Sequence, residues 1–152
     1  MDIYATLDIV RHCQLLLNSY YTCTGKQLIN RTTPKEDTQQ LKSIGFVVVS
    51  HGTQIDPIFN YANQPALDLW EMNWSTFTSL PSRYSAEPIR RELREKMLEE
   101  AKAKGYFDGY EGVRISSSGK RFMIKNALIW NLADENGQPY GQAATFSEIE
   151  YL

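Results

Sequence analysis

The run Val48-Val49-Ser50-His51-Gly52-Thr53-Gln54-Ile55-Asp56-Pro57-Ile58-Phe59-Asn60-Tyr61-Ala62-Asn63-Gln64-Pro65-Ala66-Leu67-Asp68-Leu69-Trp70, continuing through Leu80-Pro81-Ser82-Arg83 to Pro88, decides how this 152-residue chain folds. It opens inside Phe46-Val47-Val48-Val49, a short β-branched segment with the composition of a buried strand. His51-Gly52-Thr53 is a turn, and Ile58-Phe59 begins a second short strand. Asn63 stands just before Gln64-Pro65, which suits an N-cap followed by a proline tolerated in the first helical turn. The helix that follows places Ala66, Leu67 and Trp70 on one face. Residues 75–80 give a further short helical turn, which Pro81 breaks.

Downstream, Ser85 or Glu87 is the expected cap of a longer helix that ends at Gly105. Ile89, Leu93, Met97 and Ala101 recur every fourth residue, an apolar stripe. Glu92 with Lys96 and Glu100 with Lys104 have the spacing of solvated ion pairs on its outer face. Residues 105–112 read as a glycine-rich loop, and Val113-Arg114-Ile115 as a strand turning at Ser117-Ser118-Gly119-Lys120. Strict alternation puts Phe122, Ile124, Asn126, Leu128, Trp130 and Leu132 on one side of a long strand. Asp134-Glu135-Asn136-Gly137 turns it, and Gln142, Ala144 and Phe146 alternate on the last strand.

Upstream, residues 3–21 carry helical apolar spacing, and Gly25 is the expected stop. Thr33 and Pro34 begin a short helix running through Leu41. The element order is strand, strand, helices, then three antiparallel strands. That order predicts an α+β domain of PAS type over residues 42–152: a five-stranded antiparallel sheet with helices on one face. Residues 1–41 form an N-terminal helical extension. The broad apolar set of its first helix is expected to pack on the sheet's outer face or on a second copy, with a homodimer preferred.

Composition narrows the function. A hydrophobic content of 42% supports a packed core, and a formal charge of −2 offers no footprint for nucleic acid or an anionic membrane. No apolar run reaches transmembrane length, and the start lacks a signal-peptide layout, so a cytoplasmic protein is expected. Cys13 and Cys23 lie ten residues apart on one predicted helix, about 15 Å of rise, too far to bridge. Without a CxxC or a Cys/His cluster, no metal site is expected.

Several stretches resemble the MEKHLA domain family. They are residues 48–61, Leu80-Pro81-Ser82-Arg83-Tyr84-Ser85-Ala86-Glu87-Pro88, Gly109-Tyr110-Glu111-Gly112-Val113-Arg114-Ile115-Ser116-Ser117-Ser118, residues 129–132 and residues 141–144. Leu15-Leu16-Leu17-Asn18-Ser19-Tyr20 with Thr24-Gly25 is similar to stand-alone bacterial members. The resemblance implies a PAS-related fold and a sensory or regulatory function. The homeodomain, zipper and lipid-domain context of the plant members is absent, so no transcription-factor role carries over.

The strongest chemical signal is polar residues on an apolar face. Asn126 falls between Ile124 and Leu128, and Gln142 shares the side of Ala144 and Phe146 on the neighbouring strand. A buried amide left unpaired costs about 1–3 kcal/mol. Phe122, Asn126, Trp130 and Gln142 are therefore expected to line one ligand cavity, closed by the helix ending near Trp70. Inward amide pairs hold the polar ring edge of flavins in flavin-binding PAS domains, so a flavin-like ligand is one expectation. Against it stand a bulge that turns Asn126 outward, or amides that pair with each other or with water. Flavin–cysteine photochemistry has no cysteine between Gly45 and Leu152, and His51 is the sole histidine there for an axial haem position. Ser50, His51 and Asp56 make a poor triad, because adjacent strand residues face opposite ways. Asp108, Glu111 and Arg114 read as solvated charges of a loop. Arg83 and Arg114 read either as anion or partner contacts or as guanidinia satisfying loop carbonyls. Catalysis is not expected. Small-molecule or signal sensing leads, with a ligand-free protein–protein interaction module as the rival.

Overall fold

A computed structural model describes residues 2–85 and 91–152. Six strands, β1 (Val47–His51), β2 (Phe59–Ala62), β3 (Tyr106–Ile115), β4 (Arg121–Ala133), β5 (Pro139–Phe146) and β6 (Glu148–Tyr151), form one sheet. Its order is β2-β1-β5-β4-β3, β6 pairs with β4, and each of these pairings is antiparallel. The sixth strand is the end of the expected fifth. Leu128 faces Thr145 and Lys125 faces Glu148, three residues apart on both strands, so the register runs on unbroken past Ser147.

The helices are α1 (Leu7–Thr24), α2 (Pro34–Ser43), α3 (Gln64–Trp70), α4 (Trp74–Phe77) and α5 (Arg91–Lys104). Their ends follow the local sequence. The hydroxyls of Thr6 and Thr33 cap α1 and α2, and Gly25 closes α1 in the left-handed conformation at φ 74°. Of the cap and stripe expected for α5, Glu87 and Ile89 lie outside the described residues, and Ser85 ends a 3-10 turn, Ser82–Ser85. Asn63 does more than cap α3. Its Oδ1 accepts from Val48 N and Ala66 N, and its Nδ2 donates to Leu41 O and Phe46 O. One buried amide thus ties α2, β1 and α3 together.

Strand alternation sorts the core into two layers. Val47, Val49, Phe59, Ile124 and Phe146 face α3 and α4, with Leu93 and Met97 of α5 packed against the same cluster. Val48, Tyr61, Trp130, Leu132 and Ala143 face the other way, onto Cys13, Leu16 and Leu17 of α1 and Leu41 of α2. Helices therefore cover both faces: those between β2 and β3 the inner one, and the N-terminal extension the outer one, the first of the two placements expected for it. The outer cover is the N-terminal helix itself, whose apolar side is taken up by its own sheet. Leu16, Leu17 and Leu41 are fully buried there, each worth about 1.5–3 kcal/mol.

Two local breaks crease the sheet. Residues 105–112, expected as a loop, are strand, but Gly109 sits at φ 87° and the register shifts on either side of Tyr110. On β4, Asn126 sits at φ 52°. Beyond each break the alternation is reversed. Phe107 and Tyr110, three apart, enter the same inner core, as do Ile124 and Ala127.

Candidate ligand cleft

The crease corrects the pocket expected from alternation. Phe122 and Ile124 point inward, but past Asn126 the inward residues are Ala127 and Ile129, and Leu128, Trp130 and Leu132 belong to the outer core. Asn126 is solvent-exposed, and its Nδ2 donates to Glu148 Oε2 at 3.1 Å. Trp130 is fully buried on the outer face, where its Nε1 donates to Leu16 O at 3.1 Å. Phe122 is buried in the inner core, its ring 5.5 Å from that of Trp70, but it does not line the cavity found there. The four residues Phe122, Asn126, Trp130 and Gln142 thus do not form one site. The outward-turning bulge set against that site above is what the chain adopts.

A cleft does exist on the inner face, centred one strand pair away. Its deep part is a chamber of about 40 Å³ among Val49, Phe59, Trp70, Ile124, Ala127 and Phe146, with Tyr110 and Arg114 at its side. Beside it lies a vestibule of about 120 Å³ where Ser50, His51, Ser82 and Gln142 join the lining; Val49, Phe59, Arg114, Ile129 and Ala144 border both spaces. The reversal at Asn126 makes room, because it sets Ala127 on the inner face opposite Tyr110. Of the expected site residues, Trp70 lines the chamber and Gln142 the vestibule, where Gln142 Nε2 donates to Asn131 Oδ1 at 3.2 Å.

Trp70 is fixed from both ends. Its ring meets those of Phe77, Phe122 and Phe146 edge-on at 5.5–6.2 Å. Behind it, Glu71 closes α3 in the left-handed conformation and is lashed to the β3–β4 turn. Ser117 N donates to Trp70 O, Ser117 Oγ to Glu71 O, and the hydroxyls of Ser116 and Ser118 to the Glu71 carboxylate. The Ser118 and then the Ser116 hydrogen bond hold that carboxyl below its usual range. The Ser116-Ser117-Ser118 run, read above only as a turn, is thus the clamp on the chamber's wall.

Arg114 reaches in from β3. Its Nη1 donates to Ser85 Oγ at 3.4 Å and its Nη2 to Tyr110 Oη at 3.1 Å, and the guanidinium carbon lies 5.8 Å from the Tyr110 ring centre. Among the described residues its Nε is buried without a hydrogen-bond partner, and the same holds for Trp70 Nε1. Tyr110 is the contributor that sequence reasoning missed. The signal was there in Gly109, whose positive φ permits the reversal that turns Tyr110 inward.

The other candidates have structural roles. Asp108 and Glu111 are exposed on β3, while Arg114 of the same trio enters the cleft. Arg83 pairs with Asp56 at 3.0 Å and lies over Tyr84. His51 Nδ1 sits 3.0 Å from Gly52 O in its turn. Ser50 Oγ donates to Asn60 Oδ1 at 2.5 Å and lies 2.8 Å from His12 Nε2, a buried pairing across from α1 that no motif announced. Burial, with Arg11 adding to it, lowers the His12 pKa to about 4. Cys13 and Cys23 are free thiols, and burial raises the Cys13 pKa to about 12. Among the described residues no group of three or more His, Cys, Asp or Glu is placed to hold a metal, and no helix is long and apolar enough to cross a membrane.

Comparison with solved structures defines the class. The chain is similar to the PAS domain of a protein from Colwellia psychrerythraea, at 13% identity and a TM-score of 0.62, over 78% of this chain and 95% of that one. A light-oxygen-voltage domain studied with a flavin analogue gives 16% identity and a TM-score of 0.55, over 76% and 83%. The photo-excited blue-light photoreceptor Vivid gives 15% and 0.56, over 86% and 89%. At these identities the likeness establishes the fold: PAS-like, the architecture of sensory domains. Within that class the chain belongs to the MEKHLA domain family, whose profile matches residues 10–151 and so takes in α1 as well as the sheet. No curated protein matches it in sequence.

The light-oxygen-voltage likeness raises the question of a flavin, and the chamber lined by the described residues does not fit one. Drug-sized ligands need about 300–1,000 Å³. Here the chamber holds about 40 Å³, and Trp70, Phe59 and Phe146 occupy its walls. The amide pair that would meet a flavin's ring edge is split, with Asn126 on the surface and Gln142 at the mouth.

Proposed function

We propose that this domain is a non-catalytic sensory module that binds a small molecule in the cleft between the sheet's inner face and α3. The observation that carries the reading is the cleft's build: an apolar chamber set in the core, sharing its walls with a vestibule that has polar residues. Binding sites have this composition, apolar walls with a few convergent polar groups. The rigid clamp on Trp70 supports it, since a preformed wall lowers the cost of ordering a site on binding.

The test is native mass spectrometry of the full chain purified from its host under mild conditions. The expected result is a bound mass of small-molecule size that is released on unfolding. Leucine at Ala127 should fill the chamber and abolish it. A bare mass throughout, with no saturable thermal stabilisation by a host metabolite extract, would overturn the reading.

A second reading, self-association, has its own observation. Ile149 and Tyr151 of β6 and Leu152 just after it are 36%, 59% and 60% exposed, and β6 pairs only with β4 among the described strands. An open apolar edge invites strand pairing with a second copy. Sedimentation of the full chain and of Ile149→Lys separates the two: a dimer that becomes a monomer in the variant supports the second reading. In the N-terminal helix Leu15, Leu16 and Leu17 are already buried within the chain, so this reading rests on the β6 edge.

A further inference from the structure

We infer that the occupant of the cleft is a small carboxylic acid, its carboxylate on Arg114 and its apolar end in the chamber beside Trp70. This rests on the ligand-cleft reading above and adds the chemistry of the ligand.

Apart from the Tyr110 hydroxyl, which accepts from Arg114, the polar side chains at the chamber are donors that cannot accept. Indole offers one N–H and guanidinium five, and neither can accept. Arg114 spends its two terminal nitrogens on Ser85 Oγ and Tyr110 Oη. Among the described residues Arg114 Nε and Trp70 Nε1 are the inner-face side-chain nitrogens that are buried with no hydrogen-bond partner at all. A buried donor left without an acceptor costs about 1–3 kcal/mol. Two such donors at one cavity point to a group that brings acceptors. Among the described residues the rest of the chamber lining is apolar apart from the Tyr110 hydroxyl, which already accepts from Arg114 Nη2.

Charge and size select among acceptors. Arg114 is cationic, and a planar carboxylate matches guanidinium N–H groups in both charge and shape. A water could take either hydrogen bond, but its own protons would then face valine, isoleucine and phenylalanine. About 10–15 Å³ of such space holds one water, so about 40 Å³ in the chamber accepts a stub of roughly three heavy atoms. The vestibule adds room for a few more. The fit is a short acid, not a nucleotide or a tricyclic cofactor.

The probes are acetate, butyrate and benzoate, each against its neutral amide, with inorganic phosphate as a competing anion. The readout is nitrogen–proton NMR of the labelled full chain, following the Trp70 indole and Arg114 Nε resonances. At least one acid is expected to shift both saturably, at least tenfold more tightly than its amide. Arg114→Gln should abolish that preference. Because Arg114→Gln also removes the hydrogen bonds to Ser85 and Tyr110, Ala127→Leu serves as a second variant: it keeps the arginine and should still block the acids by filling the chamber. If an amide binds as tightly as its acid, the carboxylate assignment is overturned while the ligand cleft stands. Preference for phosphate, or no shift with any probe, overturns it as well, and native mass spectrometry then decides separately whether the cleft holds a ligand of another kind.

Discussion

Acid should unfold this protein in large part through His12. The ring is buried between α1 and β1, stacked on Tyr61 at 5.7 Å and close to Tyr140 at 5.6 Å. The Ser50 hydroxyl gives its proton to Asn60, so its oxygen accepts from His12 Nε2–H, and the imidazole is neutral. A second proton would be buried beside Arg11. Burial first, and Arg11 second, depress the pKa from 6.5 to about 4. The unfolded chain takes up a proton near pH 6.5 that the folded chain refuses until about pH 4. Stability therefore falls as pH drops through that window. The loss from this group is about 0.8 kcal/mol at pH 6, about 2 kcal/mol at pH 5 and about 3 kcal/mol once both states are protonated. Carboxylates titrate in the lower part of the same range, so the measurement is a difference: urea unfolding of the wild type and of His12→Gln at pH 7.5, 6 and 5. At pH 7.5 the variant should be the less stable by about 1 kcal/mol, through lost packing and a poorer hydrogen bond to Ser50. By pH 5 the order should invert. A difference that stays flat with pH, or an imidazole that titrates near 6.5 in the folded protein by NMR, would refute the reasoning.

Asn63→Ala should cost about 3 kcal/mol or more in urea unfolding, since it strands two backbone N–H groups and two carbonyls at once, and Asn63→Asp should be no milder because a carboxylate cannot donate to Leu41 O and Phe46 O. Asn126→Gly should leave thermal stability within about 0.5 kcal/mol, while Asn126→Val should cost about 1–2 kcal/mol, because the position is exposed but left-handed; equal effects would show that the crease does not need that conformation. Asp37 is buried, which raises its pKa, but hydrogen bonds from Thr32 N, Arg31 and Gln14 outweigh this and leave the carboxyl below its usual range. Its contribution is therefore present above the ordinary carboxylate range and lost as pH falls through the lowered value, and Asp37→Ala should remove about 2 kcal/mol at pH 7 and flatten that acid limb.

The elements were legible where one local signal decides them. Val47-Val48-Val49, the Asn63 cap with Pro65, Thr33 with Pro34, and Gly25 each name a strand, a helix start or a helix stop through one physical preference, and all four stand as read. The site was less legible because it depends on register. One left-handed residue at Asn126 reverses every side chain beyond it, which moved Trp130 to the opposite core and replaced it with Ala127 and Ile129. Asparagine is among the few residues that adopt this conformation at low cost, so the same side chain that suggested a buried ligand amide was equally the mark of a bulge. Gly109 carried the matching hint on β3, but a glycine-rich stretch reads as loop until its partner strand is known. His12 had no local signal at all, because its partner Ser50 lies 38 residues away.

The two cores bear on how such a domain could report an occupied cleft. Val49 and Ile129 line the cleft, and Val48 and Trp130, the next residues along the same strands, face α1. Trp130 is hydrogen-bonded to the backbone of α1 at Leu16, and Ser50 is bonded to its His12. Close-packed interiors transmit displacement because they have few voids to absorb it. An occupant that pushed on the inner face of β1 and β4 would thus press, one residue along, on the seat of the N-terminal helix. The same packing gives a physical reason for the N-terminal helix to share its core with the sheet.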